Sequence, residues 1–253
     1  MRIIKGFVFC VLCMLLITCQ KSDITPLLTG TLKISIKNTV KGNPVLLYST
    51  AYTNSFSEQY IITKFKYYIS NINLSGAGVA ASHTGYYLID ESNSGSLHFS
   101  FEVPVNTYST LSYLLGVDSA RNVSGAQTGA LDPVNDMFWT WNSGYIMAKL
   151  EGNSPQSPVV NNKVEYHIGG FSGSNSVLQN INFLLTLPAS GQLDIRQGKT
   201  SELFIEADID KWWQGSYNLK IADNPVVTTP GVLAKNISTN YRSMFRIVDI
   251  KNY

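Results

Sequence analysis

Three histidines, His83, His98 and His167, are the only imidazoles in the 253 residues, and they are the side chains best suited to hold a metal or move a proton. His167 lies in Glu165-Tyr166-His167-Ile168-Gly169-Gly170, where it points opposite to Tyr166 and Ile168. His83 and His167 could meet across a sheet, with the thioether of Met137 or Met147 completing a ligand set. His98 alternates with Leu97 and Phe99 and is expected to face solvent. The carboxylates Asp132, Asp136, Glu151 and Glu165 could in principle pair for glycoside hydrolysis, and Asp132, Asn135 and Asp136 could offer oxygens to calcium. Turn capping and solvated strand faces account for them more simply. No Gly-x-Ser-x-Gly elbow, His-Glu-x-x-His helix or phosphate-binding glycine loop is present, so no enzyme is expected.

The cysteines speak to location instead. Cys10, Cys13 and Cys19 all fall in the first 19 positions, which leaves the rest of the chain without a thiol for a disulfide, a zinc knuckle or a nucleophile. Arg2 and Lys5 precede an uncharged apolar run from Phe7 to Ile17, too short to span a bilayer and built like a secretory signal. The following Leu16-Ile17-Thr18-Cys19 resembles the lipobox of bacterial lipoproteins, in which the cysteine is lipidated and becomes the new N-terminus. Residues 1–18 are therefore expected to be a lipoprotein signal peptide and 19–30 a tether. The domain is expected over 31–253, lipid-anchored in the cell envelope on the outer membrane of a Gram-negative bacterium. Cleavage removes Arg2 and Lys5 and leaves 17 of the 19 basic side chains against 17 acidic ones.

The elements that must position these groups read as strands. Hydrophobic residues make up 44% of the chain and charged ones 14%, well below the roughly 25% of an average domain, which excludes disorder and a coiled coil. No run of Lys or Arg supplies a surface for nucleic acid. Period-two alternation recurs at Leu32, Ile34, Ile36; at Phe65, Tyr67, Ile69; at Leu97, Phe99, Phe101, Val103; at Val164, Tyr166, Ile168; and at Leu203, Ile205, Ala207, Ile209. Less periodic runs at 45–48, 86–89, 108–115, 145–150 and 181–187 predict further, more buried strands. One short helix is predicted near the C-terminus, starting at Thr229-Pro230 and placing Leu233, Ile237, Tyr241, Met244 and Phe245 on one stripe. The pattern predicts an all-β fold, a β-sandwich of antiparallel strands.

Aromatic and turn residues are densest from Ala130 to Ile146, where Asp132-Pro133 opens a turn and Trp139 and Trp141 fall on one face of an extended segment. A buried aromatic plug is the simplest reading of that pair. This block, with Lys149 to Gly152, Tyr166 to Gly170, Lys66 to Ile72, Leu115 to Ser119 and Asn240 to Phe245, resembles the copper-binding MbnP-like family, and the blocks occur in the family's order. The resemblance implies a secreted or surface-anchored β-sandwich that binds copper through two histidines and an oxidised tryptophan, the modification being made by a di-haem partner of the peroxidase type.

Carried over by position, the resemblance places Ala81 where the family has the oxidised tryptophan, His83 at the first histidine and Val123 at the second. Only His83 of the three keeps a ligand. A rebuilt copper site would use His83 and His167, and Trp139 and Trp141 are the candidates for oxidation. The expected function is a non-enzymatic, membrane-anchored copper-binding lipoprotein. The alternative is a surface adhesion or ligand-binding sandwich that has lost its metal.

Overall fold

The computed structural model describes residues 27–125, 127–140, 144–187 and 191–253. Cys19, the signal segment and Trp141 lie outside them.

Alternation along the chain becomes two packed sheets. The strands are β1 (Thr29–Val40), β2 (Asn43–Pro44), β3 (Ala51–Thr53), β4 (Gln59–Gly76), β5 (Val79–Asp90), β6 (His98–Pro104), β7 (Asn106–Tyr108), β8 (Thr110–Leu115) and β9 (Phe138–Trp139). They continue as β10 (Gly144–Asn153), β11 (Lys163–Gly169), β12 (Gln179–Leu184), β13 (Thr186–Leu187), β14 (Gly191–Ile195), β15 (Thr200–Asp208), β16 (Val226–Val227) and β17 (Phe245–Asn252). One sheet runs β17-β15-β1-β2, with β6 also on β1; the larger runs β12-β8-β4-β10-β11-β16, with β3 and β5 on β4 and β9 on β10. A small sheet, β13-β14-β7, closes one end.

In β1 the residues Leu32, Ile34 and Ile36 are buried while their neighbours are partly exposed, the signature of a strand with one face in the core. The inner faces meet through aromatic rings. Phe245 of β17 lies 5.6 Å from both Tyr67 of β4 and Tyr113 of β8, and Tyr87 of β5 stacks on Phe99 of β6 at 3.7 Å. These contacts join the two sheets into one sandwich core.

Three details depart from the sequence expectation. The architecture is mixed, because β1 pairs with β15 and β11 with β16 in parallel. The run at 45–48 is not a strand: the extended pair is Asn43–Pro44, and 47–49 form a turn. The helix α2 spans Val232–Tyr241 and starts after Gly231 with no side-chain cap, so Thr229 does not cap it. It buries Ala234, Ile237 and Tyr241, with Met244 buried in the turn that follows. A single turn, α1 (Ser119–Asn122), precedes the aromatic block and is capped by the Asp118 side chain.

Candidate metal centre

Register, more than sequence proximity, assembles the polar residues. Lys66 of β4 lies opposite Lys149 of β10 and Asp90 of β5; Lys149 lies opposite His167 of β11. One row along, Lys64, Glu151 and Glu165 face one another in the same order. Positions two apart on a strand share a face, so all of these project from one side of the sheet. The intervening Phe65, Tyr67, Ala148, Leu150, Tyr166 and Ile168 fill the core on the other side.

At the end of this belt His167 Nε2 lies 2.8 Å from Glu151 Oε1 and 3.6 Å from Glu165 Oε1. The ligand atoms of these three residues all fall within 4.8 Å of one another. The outer carboxylate oxygens are taken by cations: Lys64 Nζ is 3.2 Å from Glu151 Oε2 and Lys163 Nζ is 2.6 Å from Glu165 Oε2. Each carboxylate is thus gripped from behind, with its inner oxygen turned toward the imidazole. The hydrogen bond from His167, with Lys64 and Lys149 beside it, holds the Glu151 carboxyl down at about 2.

The belt continues to the turn that opens the aromatic block. Lys149, 1% exposed, donates to the carbonyl of Asp136 and lies 2.9 Å from its carboxylate, which also binds Lys64 at 2.9 Å. Asp136 takes the left-handed backbone conformation (φ 59°) there. Burial would raise its carboxyl, but the two lysines outweigh it and bring it to about 2. Lys66 joins Asp90 at 2.9 Å to the carbonyl of Asn135 at 3.2 Å. Asp136 is thereby committed to lysines. Asp132 caps the backbone N–H of Val134.

His83 is elsewhere. It sits opposite Ile72 on β4, six residues from Lys66, which places it about 20 Å along the strand from the His167 row. Its ring stacks on Phe101 at 4.1 Å, its Nε2 lies 2.7 Å from Tyr87 Oη, and burial pushes its pKa down. The structure does not bring His83 and His167 together. Nor does either thioether join them, since Met137 and Met147 are fully buried and Met147 Sδ accepts the N–H of Val117.

Ala81 lies in the β4–β5 hairpin opposite Leu74, and Val123 is 71% exposed after α1. Farther along β5, opposite Ser70, the Tyr86 hydroxyl donates to Asp118, and the Arg121 guanidinium lies 5.7 Å above the Tyr86 ring. Burial and Asp118 push the Tyr86 phenol up to about 12. Trp139 is buried against β11. His98 is exposed, as its alternation predicts, and lines an open cleft of about 320 Å³ with Tyr86, Tyr87, Asp90, Phe99 and Asn135.

What sequence reading missed is the convergence of Glu151, Glu165 and His167 behind their lysines. The available signal was a pair of i, i+2 motifs, Lys149-x-Glu151 and Glu165-x-His167, on two strands joined in antiparallel.

The fold is that of a largely antiparallel β-sandwich, with a His/Glu cluster on the outer face of its larger sheet. A sequence model of the MbnP family matches residues 29–230, and the chain belongs to that family. Among solved structures it is similar to MbnP from Methylosinus trichosporium, with a TM-score of 0.51 and 13% identity, over 81% of this chain and 83% of that one. That likeness is one of fold. No curated protein matches.

Proposed function

We propose that this chain is a membrane-anchored, non-enzymatic lipoprotein of the MbnP family that binds copper at Glu151, Glu165 and His167. The observation that carries the reading is the convergence of one imidazole nitrogen and two inward carboxylate oxygens within 4.8 Å, with the outer oxygens held by lysines. Partners that orient a ligand from behind are what a metal site needs beyond its ligands. Copper is the family's association, and it heads the affinity order of first-row divalent ions at nitrogen and oxygen donors. Residues 1–18 act as the signal and Cys19 carries the anchor. No helix among the described residues is long and apolar enough to cross a membrane.

The test is metal analysis of the mature protein purified from its native envelope after copper exposure. The expected result is one copper per chain, retained through dialysis, lost in His167→Ala and kept in His83→Ala. Absence of copper from the wild-type protein would overturn the reading. It would leave a ligand-binding sandwich without metal, for which the open cleft between Tyr86, Phe99 and Asn135 is the supporting observation.

A further inference from the structure

We infer that the end of the sandwich where β1 begins is a membrane-docking rim, which seats Leu27, Leu28, Val105 and Tyr253 in the headgroup region of the bilayer with Lys199 among the phosphates. The inference rests on the lipid-anchor part of the reading above and is independent of copper.

Register gathers the rim from four strands of the smaller sheet. The N–H of Val105, just past β6, donates to the carbonyl of Leu28 at 2.9 Å, so these two residues stand side by side where their strands meet the end of the sheet. On the other side of β1 lies the turn that enters β15. There Gly198 N–H donates to the Thr29 carbonyl at 3.0 Å, and Thr31 N–H donates to the Lys199 carbonyl at 2.8 Å. Tyr253, just past β17, joins the same level through its N–H on the Thr200 carbonyl at 3.2 Å. A Cβ at Gly30 would stand 2.2 Å from the Arg196 carbonyl, so the start of β1 is packed backbone against backbone and the rim is rigid.

Apolar surface lies open at that level. Leu27 is 73% exposed and Tyr253 59%, and Leu28 and Val105 are exposed beside them. One exposed apolar residue is ordinary; several from separate strands at one edge mark a contact surface. Leucine and tyrosine beside a cation make up the composition that settles at a lipid–water interface. Lys199 is exposed and has no acidic partner among the described residues. The neighbouring acids are engaged already: Asp194 with Arg196 at 2.7 Å, Glu202 with Lys33 at 3.0 Å, and Glu102 with the Thr31 hydroxyl at 2.8 Å.

The tether decides what covers the rim. Seven residues separate Cys19 from Leu27, a span of at most about 30 Å, so an acylated Cys19 brings this end to the bilayer. The opposite end is out of reach. β4 runs 18 residues and ends at Gly76, whose carbonyl accepts from Asn106 beside the rim, so its Gln59 end is about 55 Å of strand away. Val160, also exposed, lies at that far end, in the turn where Asn153, opposite Ile61, donates to the Asn161 carbonyl. Four apolar side chains bury far fewer methylenes than acyl chains do, so the rim orients the domain and leaves the holding to the lipid. The row of Lys66, Lys149 and His167, ten residues from Gly76 along β4, is then held about 30 Å from the docked end.

The test uses the full lipidated protein in vesicles of equal parts phosphatidylethanolamine and phosphatidylglycerol. No cysteine follows Cys19, so a nitroxide can be attached at Val105→Cys and, in a second protein, at Val160→Cys. Paramagnetic resonance then reads the collision of each label with oxygen, which partitions into lipid, and with a water-soluble nickel chelate. The oxygen-to-nickel ratio is expected to be at least about fivefold higher at position 105 than at position 160. Adding Leu27→Ser and Leu28→Ser, both on exposed side chains, is expected to bring position 105 down to the value at 160 while the protein still sediments with the vesicles and melts as before. Equal ratios at the two positions on protein that sediments with the vesicles would overturn the docking and leave the anchor reading standing. A label at 105 shielded from oxygen and nickel alike would show that another protein surface covers the rim, and would also overturn it. Protein whose intact mass shows no acyl chain on Cys19 would overturn both.

Discussion

Lys149 is the residue on which the site and the turn before the aromatic block both depend. Its ammonium is 1% exposed, yet it is never without a counter-charge, because Asp136 supplies a carbonyl and a carboxylate and Glu151 stands close by. Removing the ammonium leaves the Asp136 carbonyl without its donor, while the Asp136 carboxylate, 62% exposed, keeps Lys64 and water. Lys149→Met keeps the volume and is expected to lower stability by about 1–2 kcal/mol, read as a drop in urea midpoint at constant m-value. Glu151 makes the corresponding prediction in pH. Its carboxyl is depressed from an ordinary value of 4.5 to about 2, first by the His167 hydrogen bond and then by the lysines. A depressed acid stabilises the fold fully above its unfolded pKa and loses that contribution as pH falls. The wild type is therefore expected to lose stability between pH 4.5 and 2 more steeply than Glu151→Gln, the two curves converging near pH 2. Urea midpoints across that range check it; parallel curves would show that the pairing contributes nothing. Asp136, depressed in the same direction, keeps an acid limb in both proteins.

Strands bring these residues together, and their packing explains a second constraint. A Cβ at Gly169, the last residue of β11, would stand 2.4 Å from the Trp139 ring and 3.0 Å from the Tyr145 carbonyl. The indole lies on bare backbone there. Gly169→Ala is expected to push Trp139 off β11 and destabilise by about 1–3 kcal/mol, with a change in near-ultraviolet dichroism that Gly231→Ala, with open space at its Cβ and extended backbone, would not produce. Much at this scale was legible beforehand. Leu32, Ile34 and Ile36, or Val164, Tyr166 and Ile168, announce strands because one buried face imposes period two. Parallel pairing of β1 with β15 was not legible, since alternation is the same whichever way the neighbour runs. The short run at 45–48 carries enough apolar residues for a strand, yet 47–49 turn back and the only ladder there is Asn43–Pro44 on β1. The site was hidden for a related reason. Residue types named His83 and His167 as ligands, but which histidine has carboxylates opposite it is set by register across β10 and β11, which no local spacing encodes.

The arrangement of the whole molecule bears on the proposed anchor. β1 begins at Thr29 and is the hub of the smaller sheet, hydrogen-bonded in parallel to β15 and antiparallel to β6 and β2. Nine residues separate Cys19 from Thr29, a length of chain that reaches at most about 35 Å. A lipidated Cys19 would therefore hold this end of the sandwich close to the bilayer, attached to a strand that cannot peel away without breaking ladders on both sides. Under the proposed function the acyl chains supply the attachment, since a charge balance of 17 basic against 17 acidic side chains after cleavage gives little net attraction to anionic lipid. Cys19→Ala behind a cleavable secretory signal that replaces residues 1–18 is accordingly expected to move the protein from the membrane pellet to the soluble fraction of the envelope without changing its melting temperature, since β1 and its partners are untouched. Fractionation with and without detergent, alongside a thermal melt, reads both quantities. A Cys19→Ala protein that still sediments with membranes and needs detergent for release would show that something other than the lipid holds it there.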